Sequence, residues 1–129
     1  MKHEYRIDAD HNLISKRYAG SLSVDEEIAF INEIISDPHY QKGLNVCCDL
    51  SQATVVWSLE DLDRFRAFVG RLKRLTGKHK WAILVSRGED TTTARMFAAL
   101  HGAMEDTIEV RLFYERDEAL DWLQVKATT

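Results

Sequence analysis

Few side chains in this 129-residue chain are arranged for chemistry, and those that come nearest lie in two short stretches. The first is Val55-Val56-Trp57-Ser58. Bulky apolar residues in a row within a loop are either tucked under the domain or held out for a ligand or partner. Tryptophan suits the second use because it supplies a large, rigid contact area. Ser58 opens Ser58-Leu59-Glu60-Asp61, the pattern of a helix cap, and capping accounts for it without a further role. A phosphoryl group on Ser58 would place roughly two negative charges at a helix N-terminus, where the dipole favours them. The second stretch is Ser86-Arg87-Gly88-Glu89-Asp90, followed by three threonines. A strand before it and a helix after it suggest an anion cradle. Glu89 and Asp90 oppose that use, no P-loop or dinucleotide glycine pattern is present, and Asp90 or Thr91 reads better as a helix cap.

Other reactive side chains are dispersed. Cys47 and Cys48 are adjacent, so on a strand they point to opposite faces and are badly placed to bridge. They read as two small hydrophobes with reduced thiols, as in a cytosolic protein. The five histidines, at 3, 11, 39, 79 and 101, show no metal-ligand spacing, and His101 reads as a surface or partly buried residue. No serine, cysteine or threonine has a histidine partner marked by a motif. The run from Arg71 to Lys80 is the one basic cluster, and it suits a solvated helix C-terminus. No catalytic residue, metal site or cofactor is expected.

The elements that would carry these residues follow from periodicity. Residues 3–9 and 12–20 read as a hairpin through Asp10-His11-Asn12. Ser23-Val24-Asp25-Glu26 is a capping box. Val24, Ile28, Ile31 and Ile35 then define one helix face, widened by Phe30 and Ile34, and Asp37-Pro38 ends the helix. Leu44–Leu50 reads as a strand that leads into a loop from Ser51 to Trp57. A second helix starts at another capping box, Ser58 to Asp61, and Gly77 terminates it. The unbroken apolar run Trp81–Val85 suggests a strand covered on both faces, at the centre of the sheet. Residues 91–104 form a third helix with Met96, Phe97, Leu100 and Met104 as its stripe. Residues 108–113 alternate as a strand nearer an edge, and a last helix spans 117–125. The order ββαβαβαβα predicts an α/β fold: one domain, 1–129, with a mixed, mostly parallel five-stranded sheet and flanking helices.

Composition agrees. Apolar residues make up 45% and charged residues 29%, as in a globular chain able to bury a core. A net charge of −4 gives no basic footprint for nucleic acid. The N-terminus lacks the apolar core of a signal peptide, and no run is long enough for a membrane span, so the expected location is the cytoplasm.

With its elements placed, the chain resembles the SpoIIAA-like proteins, small bacterial domains related to the STAS and CRAL-TRIO folds. The resemblance rests on Tyr5-Arg6-Ile7-Asp8, Gly20-Ser21-Leu22-Ser23, Asp37-Pro38-His39-Tyr40 and Asp49-Leu50-Ser51. Ala94-Arg95-Met96-Phe97 and Ala119-Leu120-Asp121-Trp122-Leu123 complete it. It implies a mixed sheet flanked by helices and a non-enzymatic role. STAS relatives bind regulatory proteins, and some are switched by phosphorylation of a serine that opens the helix after the Asp-Leu-Ser strand; Ser58 matches by position. Where those relatives carry Asp-Ser-Ser-Gly or Asp-Ser-Thr-Gly, this chain has Val56-Trp57-Ser58-Leu59.

Two functions of different kinds follow as expectations. One is a regulatory module that presents residues 51–58 to a protein partner, with homodimerisation among its assemblies. The other is a binder of a small apolar ligand or lipid, as CRAL-TRIO relatives are. A pocket lined by Val55 and Trp57 would favour the ligand; a flat exposed patch there would favour the partner. The candidate contact residues are Val55, Val56, Trp57, Ser58, Ser86 and Arg87, with Trp57 exposed or half-exposed.

Overall fold

The expected order of elements is the observed one. A computed structural model describes residues 2–87, 90–104 and 107–124, without the side chains of 102–104. The strands are β1 (Lys2–Asp8), β2 (Leu13–Ser21), β3 (Asn45–Thr54), β4 (His79–Leu84) and β5 (Ile108–Phe113). The helices are α1 (Val24–Ile35), α2 (Leu59–Thr76), α3 (Thr92–Met104) and α4 (Arg116–Trp122). Gly88, Glu89, the Met104 side chain and the end of the last expected helix at Val125 lie outside the described residues.

β1 and β2 form the expected hairpin, paired antiparallel from Lys2↔Ala19 to Asp8↔Leu13. Asp8 caps the intervening turn through His11, and Asn12 takes the left-handed conformation that closes it. Every later pairing is parallel, and the strands lie in chain order, β1-β2-β3-β4-β5. The apolar run at Trp81 is therefore in an interior strand next to the edge, and β3 holds the centre, which corrects the sequence expectation. Apolar character on both faces reports that a strand is covered, not its rank among its neighbours. Trp81 and Ile83 pack under the helices, while Ala82 packs on the opposite face.

Helices α1, α2 and α3 pack on one face over Ile14, Tyr18, Cys48, Trp81 and Ile83. α4 packs on the other, where Ala119 and Leu123 meet Leu13, Cys47 and Ala82. The adjacent cysteines thus belong to two different cores, both buried and both free thiols.

The α1 face is rotated from its expected position. Val24, Glu27, Phe30 and Ile34 are buried, whereas Ile28, Ile31 and Ile35 lie on the shoulder. The displacement has a chemical cause, since Glu27 is drawn inward by a buried cation described below. Ser23 forms the full capping box, accepting the Glu26 amide while Glu26 accepts that of Ser23. At α2 only half of the box forms: Ser58 Oγ accepts from Asp61 N at 3.0 Å. Ser23→Ala and Ser58→Ala are each expected to lower unfolding free energy by about 1 kcal/mol in urea titrations. Gly77 ends α2 with φ of 67°, and a Cβ there would meet the Lys42 side chain at 2.9 Å.

Candidate functional site

β3 continues through Thr54, so the expected Ser51–Trp57 loop shrinks to Val55-Val56-Trp57. Pairing explains the difference: the Ala19-Gly20-Ser21 end of β2 continues the ladder opposite Gln52-Ala53-Thr54 after a register shift. The three apolar residues then part company. Val55 is buried, Trp57 is half-buried, and Val56 is 67% exposed. Leu59, in the first turn of α2, is 65% exposed, so two branched aliphatic side chains stand in solvent at one corner of the domain.

Trp57 holds that corner from beneath. Its indole Nε1 donates to Leu22 O at 3.0 Å, and its backbone N–H donates to Thr93 Oγ1 at 3.1 Å. Its ring packs edge-on to Phe65 with centroids 5.1 Å apart. One residue therefore ties the β2–α1 junction, α2 and α3 together. An exposed ion pair, Arg64–Asp25, joins α2 to α1 nearby. Ser58 is exposed, with its hydroxyl engaged as the cap.

Ser86 and Arg87 are separated by their neighbours. Ser86 Oγ donates to Ser51 O at 2.9 Å and shares with Val55 the wall of a cleft of only about 10 Å³. Arg87 stacks over the Tyr114 ring at 4.5 Å. The cleft beside Val55 and Ser86 is thus too small for a ligand. Open sheets form a ligand crevice where strand order reverses, and an order that follows the chain from β1 to β5 contains no reversal.

The larger apolar cavity lies at the opposite, amino end of the parallel strands, between α1 and α2. It measures about 60 Å³ and is lined by Ile31 and Ile35, Val69 and Leu72, and Trp81 and Ile108, among others. Lys16 and His79 also line it. Burial holds the His79 pKa below its usual value, despite the contact between Nδ1 and Gly77 O at 2.9 Å. The indole N–H of Trp81 is buried and has no hydrogen-bond partner among the described residues.

Beside this cavity is the group that sequence reading missed. Lys16 is 3% exposed and pairs with Glu27 at 3.2 Å, also 3% exposed. Tyr18 donates to both Glu27 oxygens, at 2.6 and 2.8 Å. The Lys16 ammonium also sits over the rings of Tyr18, Phe30 and Trp81, at 5.3 to 5.5 Å. The cation is thus matched by one carboxylate and three π faces. Burial, then the nearby Cys48 and Glu27, pushes the Tyr18 hydroxyl well above the usual phenol range. Burial likewise pushes the Cys48 thiol up to about 12.

On the opposite sheet face, clear of α4, lies an open polar trough of about 770 Å³ lined by residues that include Lys2, Glu4, Arg17, Asp49 and Ser51. No group of three or more His, Cys, Asp or Glu side chains is placed to hold a metal among the described residues. No described helix is long and apolar enough to cross a membrane.

This architecture is found in a known class of small α/β domain. The chain is similar to the crystal structure of an uncharacterised protein of the DUF3478 family, with a SpoIIAA-like fold, from Shewanella loihica PV-4. The match has 15% identity over 95% of this chain and 92% of that one, with a TM-score of 0.59. It shows the SpoIIAA-like fold and carries no activity with it. No protein-family model matches the chain, and no curated protein matches its sequence.

Proposed function

We propose that this chain is a non-enzymatic, protein-binding regulatory module whose contact surface is the β3–α2 corner. One observation carries the reading: Val56 and Leu59 stand in solvent at one corner of the fold, on a base fixed by Trp57. Exposed apolar side chains at that position favour a protein partner over a small ligand, because the cleft beside neighbouring Val55 measures only about 10 Å³. The chemistry of the interior agrees. Cys48 is held protonated, and Lys16 is locked in its ion pair, so neither serves as a nucleophile at neutral pH. Ser58 lies between the two exposed side chains, and a phosphate there would convert the apolar patch into an anionic one.

A second reading rests on the amino-end cavity. Its apolar walls and the unpartnered Trp81 N–H suit a short alkyl chain that carries a hydrogen-bond acceptor. One experiment separates the two. Native mass spectrometry of protein purified from its own host is expected to show a protein complex that Val56→Glu and Leu59→Glu each reduce at least tenfold. A complex indifferent to both substitutions would overturn the corner reading. A small-molecule adduct that persists in both variants would support the cavity instead.

A further inference from the structure

One of the two edges of the sheet is β1, which among the described residues pairs only with β2. Its sequence, Lys2-His3-Glu4-Tyr5-Arg6-Ile7-Asp8, carries a charge pattern whose sign reverses on reflection through Tyr5. Lys2, Glu4, Arg6 and Asp8 share one face, as their register with Ala19, Arg17, Ser15 and Leu13 requires. That face is the one packed by α4 farther along the sheet, since Leu13 belongs to the α4 core. His3, Tyr5 and Ile7 lie on the helix side, where Tyr5 packs against Phe30 and its hydroxyl donates to Asp37 at 2.6 Å.

We propose that β1 is the interface of a homodimer, in which two copies join edge to edge, antiparallel, about a two-fold axis at Tyr5 to make one ten-stranded sheet. In this register Lys2 faces Asp8 of the second copy and Glu4 faces Arg6, and symmetry repeats both pairs. Four opposite-charge pairs then line one face, while Tyr5 meets its own copy on the other. The register is specific. A slip of two residues one way sets Lys2 against Arg6 and Glu4 against Glu4; a slip the other way sets Glu4 against Asp8 and Arg6 against Arg6. Opposite charges across an antiparallel ladder stabilise and like charges destabilise. The Tyr5-centred alignment, with four opposite-charge pairs, is therefore favoured over slips of two, which are repulsive, and over slips of four, which keep only two such pairs and a shorter ladder.

Charged edges are also a common means of preventing strand pairing. A fringe of one sign serves that purpose because it repels every copy of itself in every register. An antisymmetric fringe attracts its own copy most strongly in one register, and that is the pattern here. The groups are free to rearrange. Lys2, Glu4 and Arg6 are exposed, and the intrachain Glu4–Arg17 pair, at 3.3 Å, is solvent-exposed and worth little. Asp8 is already engaged by His11 at 2.7 Å, so the Glu4–Arg6 pairs are the better ones to test.

The test is sedimentation equilibrium of the full chain over a concentration series at low ionic strength, with native mass spectrometry of mixtures. The parent is expected to dimerise. Arg6→Glu and Glu4→Arg should each weaken the dimer at least about tenfold, because each sets like charges opposite at two places. Mixing the two variants should restore association as a one-to-one heterodimer, since two carboxylates on one chain then face two guanidinium groups on the other. The double variant, Glu4→Arg with Arg6→Glu, should dimerise with itself. A parent that stays monomeric, a dimer unmoved by the single reversals, or a mixture that fails to re-associate would each overturn the proposal. A dimer lost on Leu59→Glu but not on Arg6→Glu would overturn it too, by placing self-association at the β3–α2 corner.

Discussion

Glu27→Ala is expected to lower unfolding free energy by about 3–5 kcal/mol, the usual cost of leaving one member of a buried ion pair without its partner. For a domain of this size that is a large share of the total stability. The effect has two parts. Lys16, 3% exposed, loses its counter-charge, and Tyr18 loses the acceptor to which its hydroxyl donates. The three surrounding rings soften the first loss without cancelling it. Replacing both partners by apolar residues, Lys16→Met with Glu27→Leu, should recover the share lost through the unpaired ammonium, because a buried pair is often no better than a well-packed hydrophobic substitute. The share due to the Tyr18 hydroxyl, still without its Glu27 acceptor, remains. Urea titrations of the parent, the two single variants and the double variant form a cycle that measures the coupling directly. A Glu27→Ala variant as stable as the parent would mean that Lys16 escapes to solvent in the folded state.

Trp57→Ala is expected to cost about 2–4 kcal/mol, below the range for a fully buried tryptophan, since this ring is half-buried. The losses are the edge-on contact with Phe65 and the hydrogen bond to Leu22 O. Trp57→Phe keeps most of the first and removes the second, so about 1 kcal/mol is expected there. Thermal and urea denaturation decide the matter. Weakened partner binding at unchanged stability would make Trp57 itself the contact residue, as its sequence position first suggests. A loss of stability on the expected scale assigns it to the base of the corner and leaves contact to Val56 and Leu59.

The contrast between these two residues marks what the sequence makes legible. Element order was readable because its signals are local: Ser23 and Ser58 cap helices, Gly77 ends one, and Ile108 to Phe113 alternate in burial. Depth and neighbourhood were not. Trp57 announces itself by type, yet whether it faces solvent depends on Leu22, Phe65 and Thr93, which approach from three other elements. His101, read as a surface or partly buried residue, is 4% exposed for the same reason, packed on Phe97. Lys16 and Glu27 were overlooked because charged side chains are ordinarily assigned to water. A signal was nevertheless present. Lys16 shares its strand parity with Ile14 and Tyr18, and Glu27 lies three residues from both Val24 and Phe30, so opposite charges stood at inward positions on two adjacent elements. Binding at the carboxyl ends of strands is a rule for sheets whose order reverses, and the order of this one could not be read before the strands were paired.

The chain-order sheet also sets a direction of assembly. As synthesis proceeds from the N-terminus, each parallel strand emerges after its one earlier neighbour and needs no later segment to begin pairing. β3 and then β4 serve in turn as the growing margin, and both bury apolar side chains on two faces. β5 arrives last, with Glu109 and Arg111 exposed, and gives the finished sheet a hydrated boundary on that side. α4 then covers Cys47 and Ala82. A nascent chain halted between β4 and β5 therefore exposes both the β4 margin and the apolar face at Cys47 and Ala82, and the first is closed by β5 while the second waits for α4.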